Sequence, residues 1–358
     1  MTEARTGRRL RVGMSLSAHY EPGASVRDGL RDTMEQVALA EEMGLSTILL
    51  GHHYLARSQF LQPLSTVAYL AARTERIRLG FGVYLLPLHN PLALAEEFAT
   101  LDRLSGGRLI VGLGTGYRSV EFRAFGVPME ERFRRLEEYV GVLRALWSGE
   151  PVTHSGSFGE LDGARVLLRP EWPGGPPLWL GAFGPVGMRR VARLDAAWAV
   201  APNGSVAEVA RRMADFQDAL RSYGRDLDRD YPLLREGCVA PTRGEAVDAA
   251  KPYLAEQYAN YRGWKHGATI DELIGEQAVI GSPEDVIARL SEYARLGYTD
   301  VVMRLQWTGM PQAEVLRSIR LLGREVIPAL RDVPVGDGSL AREAGEAAAG
   351  SDVEETKR

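Results

Sequence analysis

The chain of 358 residues is 45% hydrophobic with a formal charge of −4. That is enough apolar material for one large core or two smaller ones, and the dispersed charge gives no electrostatic case for nucleic acid. No run of about 18 apolar residues suggests a membrane span, Met1 to Arg11 lacks the apolar stretch of a signal peptide, and a lone cysteine, Cys238, fits a reducing cytoplasm.

The first strand is predicted over Leu10–Leu16. A helix follows over 27–42, with Met34, Val37, Ala38 and Met43 on one face and Gly44 as its stop. Ser46–Leu50 reads as a second strand ending in Gly51-His52-His53-Tyr54, and Pro63 opens a helix over 61–73. Two short runs, 77–86 and 108–113, are too rich in β-branched residues and glycine to be helical. Between them Leu92, Leu94, Ala95, Phe98, Leu101 and Leu104 keep helical spacing, and Gly106-Gly107 stops that helix. A long helix over 128–147 carries Phe133, Leu136, Val140, Leu143 and Trp147 as its stripe.

The segment 150–177 is dense in glycine and proline and reads as an inserted hairpin or loop. Strands at 177–182, 196–201 and 233–240 are each followed by a helix, over 184–194, 206–223 and 243–261. A second, less regular insertion occupies 262–281. Ser282-Pro283 opens a helix over 283–296 that Gly297 ends, Asp300–Leu305 is the last strand, and 312–330 the last helix. From Asp332 the composition has little to bury, so 332–358 is expected to be a disordered tail. This is the strand–helix count of a (β/α)₈ TIM barrel, an α/β domain over 1–331 with two insertions. The rival, an open doubly wound sheet, requires G-x-G-x-x-G after strand one, which this chain lacks.

In a parallel barrel, chemistry sits at the strand exits. His52 and His53 follow strand two, where neighbouring residues point to opposite faces, so only one can face the barrel mouth. His19, His89, His154 and His266 show no H-x-H or H-x₃-H spacing, so no metal site is expected. Gly112-x-Gly-x-Gly116 is a weak signal alone. Gly184-Pro-Val-Gly187 lies between a strand and a helix, where free N–H groups and the positive helix end can receive a phosphate.

These residues resemble a known family. Leu79-Gly-Phe-Gly-Val to Leu-His-Asn-Pro91, Leu101-Asp-Arg-Leu-Ser-Gly-Gly-Arg108, and Gly112-Leu-Gly-Thr-Gly-Tyr to Glu121-Phe-Arg-Ala-Phe-Gly126 are similar to motifs of the bacterial luciferase-like flavin-dependent monooxygenases. The resemblance covers about 8–330. It implies a barrel with reduced FMN at its mouth, oxidising a small organic substrate with dioxygen, with reduced flavin delivered by a separate reductase. His52 would be the catalytic group, as general base or hydrogen-bond partner. A cis peptide at Gly82–Val83 would lie under the flavin ring. Gly114, Thr115, Gly116 and Tyr117 would follow the ribityl and phosphate chain, and Gly184, Pro185, Val186, Gly187 and Met188 would bind phosphate, with Arg118, Arg189 or Arg190 in support. Tyr54, Phe183, Trp264 and Trp307 are candidate substrate walls, together with the two insertions. A homodimer is implied by resemblance only. Two alternatives stay open: a deazaflavin-dependent hydride-transfer enzyme of the same superfamily, which the sequence does not separate from a monooxygenase, and a non-catalytic flavin-binding protein, since Gly51 and Thr115 depart from the family pattern.

Overall fold

The computed structural model describes residues 8–260 and 269–343. Its centre is a ten-stranded sheet. We number the strands β1 (Arg11–Leu16), β2 (Thr47–Leu50), β3 (Arg78–Phe81), β4 (Tyr84–Leu85), β5 (Leu109–Gly114), β6 (Leu178–Gly181), β7 (Ala197–Ala199), β8 (Pro232–Val239), β9 (Val279–Gly281) and β10 (Asp300–Arg304). The order is β7-β6-β5-β3-β2-β1-β10-β8-β9, every pairing is parallel, and β4 pairs with β5 beside the main path. Just past β7, Val200 forms a parallel bridge with Leu233 of β8.

The sheet curls through the handed twist of its strands, and the alternation of strand side chains gives it an inner and an outer face. One set, Leu49, Ile110, Trp179, Ala197, Ala199 and Val302, meets in a small buried cluster inside the curl. The opposite set, including Ile48, Leu50, Leu79, Val111, Leu180, Val301 and Met303, joins the helices in a much larger core. Local chemistry sets the helix ends: Ser205 with Glu208, and Ser282 with Asp285, form capping boxes, and Gly106 ends its helix at φ 65°.

Four sequence expectations change. The run 77–86 is not one strand: it breaks after Phe81 at a cis Gly82–Val83 peptide, the bond that the resemblance pointed to, before β4 and a 3₁₀ turn at Leu86–Leu88. The insertion 150–177 holds an antiparallel hairpin, Val152–Gly156 with Gly159–Ala164, but it does not wall the strand exits. It packs on the outer helix Arg132–Ser148, where His154 and Ser157 meet Glu138. The chain then runs past the N-terminal ends of the strands, held by Arg103, which donates to Arg169 O (2.7 Å), and by Trp172, whose indole donates to Gly107 O (2.7 Å).

The segment 262–281 contributes β9 at the far edge of β8 and a π-helical turn at Leu273–Gln277; its residues 262–268 lie outside the described residues. Finally, the tail is not wholly detached. Pro334 bridges to Arg9, Gly336 N–H donates to Ala294 O (2.9 Å), and Val335 and Ala341 are buried. Two glycines permit this return, since a Cβ at Gly336 would stand 2.0 Å from Arg295 O and one at Gly338 2.3 Å from Gln217.

Candidate active site at the C-terminal ends of the strands

The alternation that places Leu49, Ile110, Trp179 and Val302 inside the curl assigns the inner positions one step nearer the C-terminal rim. They are Gly51, Gly112, Gly181 and Arg304, with Ser15, Gly82 and Glu236 in the same layer by pairing register. Most of this layer has no side chain beyond Cβ, which leaves the rim open above a filled interior. Close approach requires glycine at two positions of β5: a Cβ at Gly112 would lie 1.7 Å from Phe81 O, and one at Gly114 2.3 Å from Val83 Cγ2. Val83, turned by the cis bond, therefore sits against the exits of β5 and β6, with Gly181 also facing it.

His52 and His53 separate as the strand geometry requires. His52 is 2% exposed, and Leu85 N–H donates to its Nδ1 at 3.2 Å. A backbone amide can only donate, so Nδ1 is the acceptor and the neutral ring carries its proton on Nε2. That Nε2 has no partner among the described residues, nor has the buried Gln62 Oε1. Burial, then the nearby His89 and His53, lower the His52 pKa to about 3, against the opposing effect of the Gln62 side chain. The His52 ring packs against Tyr84 (4.2 Å), Tyr54 (4.7 Å) and His89 (5.5 Å). Tyr54 Oη and His89 Nε2 are 3.3 Å apart. Burial holds His89 down at about 4 and raises both tyrosine hydroxyls, so the cluster is uncharged at neutral pH.

His53 points away, to fully buried Glu121, whose Oε1 lies 3.0 Å from His53 Nδ1 and accepts from Tyr54 N–H (3.0 Å) and Arg118 Nη1 (3.0 Å). Burial would raise the Glu121 pKa; the His53 and Tyr54 hydrogen bonds and the Arg118 charge outweigh it and hold it below the usual range. Arg118 also donates to Tyr54 O (2.6 Å) and Leu55 O (3.0 Å), which fixes the loop after β2. Arg118 is thus engaged in the loop, and Arg190 is engaged with Glu137 (2.6 Å), leaving Arg189 as the exposed one of the three arginines considered for an anion.

At the β6 exit, Gly184 (φ 66°) and Pro185 open helix Gly184–Arg193; Phe183 and Val186 are exposed, while Gly187 and Met188 are buried. At the β5 exit, Gly116 adopts φ 73° against Phe122, and Tyr117 is half exposed with its ring edge-on to His53 (5.8 Å). Thr115 stands between these glycines at partial exposure. Trp307 is largely enclosed, with one face on the space between the loops after β1 and β10. It is 1% exposed, and its indole donates to Glu236 Oε2 (2.9 Å), a carboxylate also gripped by Arg304 and by Tyr258 (3.2 Å). Trp264 lies outside the described residues.

Sequence reasoning missed Tyr84, Glu121 and the Glu236–Arg304 pair as members of this site. Tyr84 was hidden inside an apolar run, whereas Arg118-x-x-Glu121 has the i,i+3 spacing of a helical ion pair and was detectable. A cavity of about 320 Å³ at the opposite end of the strands, lined by Arg144, Trp179, Asp195, Arg229 and Asp230, is not the candidate site. Its charged groups are paired with one another or with the sheet, as Arg229 with Asp195 (2.7 Å) and Asp230 with Arg11. Among the described residues no group of three or more His, Cys, Asp or Glu could hold a metal ion, and no helix is long and apolar enough to cross a membrane.

The family model described as luciferase-like monooxygenase matches residues 10–300, and the chain belongs to that family. It is 30% identical over 347 residues to 4-hydroxyprotoasukamycin monooxygenase of Streptomyces nodosus subsp. asukaensis, covering 89% of this chain and 92% of the relative. It is 28% identical over 364 residues to the F420-dependent glucose-6-phosphate dehydrogenase of Intrasporangium calvum, covering 90% and 99%. Among solved structures it is similar to the oxygenating constituent of 3,6-diketocamphane monooxygenase of Pseudomonas putida in complex with FMN, with TM-score 0.77, 17% identity, and 89% and 98% coverage. The relatives are oxidoreductases of both kinds, flavin monooxygenases and F420-dependent enzymes.

Proposed function

We propose that this protein is a flavin-dependent monooxygenase that oxidises a small organic substrate with reduced FMN and dioxygen, and that the curled sheet is a closed (β/α)₈ barrel carrying that site at its rim. The Val200–Leu233 bridge supports closure, because it joins β7 to β8. The observation that carries the functional reading is the buried, unpartnered His52 Nε2 beside the cis Gly82–Val83 peptide, at a rim of glycines.

An orphaned donor and a layer that is mostly glycine fit a flat polar ring. Gly82 and Val83 would support the ring. Gly114 to Tyr117 would flank its chain, and the N-terminal turn at Gly184–Met188 would receive the phosphate through backbone N–H groups, with Arg189 nearest in charge. Reduced FMN supplies the electrons with which dioxygen is activated. The protein's part is to bind, shield and hydrogen-bond. With Leu85 N–H occupying Nδ1, His52 serves as a donor through Nε2 rather than as a base, the second of the two roles that the resemblance implied. Tyr54, Tyr84 and His89 exclude water around it and keep its ring oriented.

That the similar structure from Pseudomonas putida is the oxygenating constituent of its monooxygenase supports a separate reductase as supplier of reduced flavin. The F420-dependent relative favours a second reading, hydride transfer from a deazaflavin. Anaerobic titration of the purified chain with reduced FMN and with reduced F420 tests the choice. Tight binding to FMNH₂ is the expected result, and tight binding to F420 alone overturns it.

A further inference from the structure

We propose a substrate side pocket between the loops after β1 and β10 that accepts one uncharged six-membered ring. This deepens the functional reading above and rests on it only for the identity of the ligand as substrate. The cavity has a volume of about 170 Å³ and is lined by residues 17, 19–21, 24 and 306–309, including Ser17, His19, Ala24, Trp307 and Thr308. Its size is close to the roughly 150 Å³ engineered cavity that holds a benzene molecule, so it admits one ring and not two.

Two aromatic walls are fixed before any ligand arrives. Trp307 is pinned by its indole N–H to Glu236. His19 is pinned from both sides: its Nε2 lies 3.3 Å from Thr308 Oγ1, and its ring stacks on Phe60 at 5.7 Å with an interplanar angle of 2°. Walls that do not have to be ordered on binding cost little entropy when a ring enters. The pocket adjoins the rim described above through Phe60, which stacks on His19, contacts His53 (6.0 Å) and lies 4.0 Å from where a Cβ of Gly51 would stand.

The walls also select against charge. Burial, followed by the influence of Arg304 and His53, lowers His19 to a pKa of about 4, so it offers no cation at neutral pH. Arg304 itself is ion-paired with fully buried Glu236. The one charged side chain among the lining residues is Glu21, an acid. An anionic ring gains no counter-charge here and loses its hydration, whereas a neutral ring gains apolar contact.

The test uses the full-length chain with phenol and benzoate as probes, binding being read by ligand-observed NMR. Phenol is expected to bind, benzoate to bind at least tenfold more weakly, and Ala24→Leu, which fills the cavity from an exposed position, to weaken phenol at least tenfold. Thr308→Leu provides a second filling variant, and thermal unfolding confirms that either remains folded. Absence of phenol binding, equal binding of benzoate, or phenol binding unaffected in a folded filling variant would each overturn the pocket. Flavin titration of the same samples separates the two proposals. Phenol binding with this pattern in a chain that takes no flavin leaves the pocket standing and removes the monooxygenase reading; flavin binding without phenol binding does the reverse.

Discussion

The two ends of the same parallel sheet are built on opposite principles. At the N-terminal end, Asp300 is 1% exposed and both its oxygens are taken: Oδ1 by Arg11 Nε (2.8 Å) and Arg78, Oδ2 by Arg11 Nη2 (2.6 Å) and Thr299 Oγ1 (2.7 Å). Asp230 joins from β8's approach, with Trp179 donating to it at 3.3 Å. At the C-terminal end the inner layer is mostly glycine, and His52 Nε2, Gln62 Oε1 and Glu121 Oε2 are buried without partners among the described residues. A buried polar atom left unsatisfied costs about 1–3 kcal/mol. The N-terminal end ties its acids to the strands, whereas the C-terminal end, beside the paired Glu236 and Arg304, leaves three buried polar atoms for something that binds.

That contrast can be broken most sharply at His52. If its Nε2–H is a preorganised donor, His52→Ala lowers kcat about 10²- to 10³-fold and, because a buried ring is removed, lowers Tm as well. His52→Gln, which restores an N–H donor, recovers at least tenfold of that loss; steady-state kinetics that find the two variants equally inactive would return His52 to the role of base. At the other end, Asp300→Ala leaves Arg11 and Arg78 without their shared counter-charge. It is expected to cost about 3–5 kcal/mol of stability, read from urea unfolding, with kcat of the surviving folded protein little altered.

The ends also titrate in different windows. His52, His19 and His89 have folded pKa values near 3, 4 and 4 against 6.5 when unfolded, so the unfolded chain binds protons first. Their contribution is complete above pH 6.5 and is lost as pH falls from 6.5 towards 4, each group adding a slope of up to about 1.4 kcal/mol per pH unit. Burial alone would raise Asp300, but Arg11 and Arg78 outweigh it and hold it below 3.8, so its stability is lost only as pH falls below that value. Urea midpoints measured from pH 7 to 3 should therefore show two stages, and His89→Gln should flatten the first while leaving the second. The smallest effect is expected for Tyr54→Phe, which removes the 3.3 Å contact with His89 and costs about 1 kcal/mol, seen as a Tm shift of a few degrees.

Much of this was legible in the chain. Strand–helix alternation, the Gly106 stop, the Ser282-Pro283 start and the separation of His52 from His53 follow from local rules: the periods of 3.6 and 2, the freedom of glycine and the capping of free N–H groups. The family motifs pointed to Gly82–Val83, where the cis bond is found. What escaped were contacts between residues distant in sequence. Glu121 reaches His53 across 68 positions, Leu85 reaches His52 across 33, and Trp307 reaches Glu236 across 71. No local pattern encodes such pairs, because a side chain's partner depends on which strands lie side by side.

The tail and the first insertion illustrate the same limit. A composition poor in apolar residues suggested that 332–358 has nothing to bury, yet Val335 and Ala341 find places because two glycines pass close to neighbouring groups. The segment 150–177 looked like a wall for the site and instead closes the far end of the strands. By itself, then, the sequence determined the elements, their order and the family, since these rest on periodicity and short motifs. The tertiary structure alone decided which imidazole nitrogen carries the proton, which arginines are already engaged and where a ring-sized space remains, because each depends on the curl that brings distant strand exits to one rim.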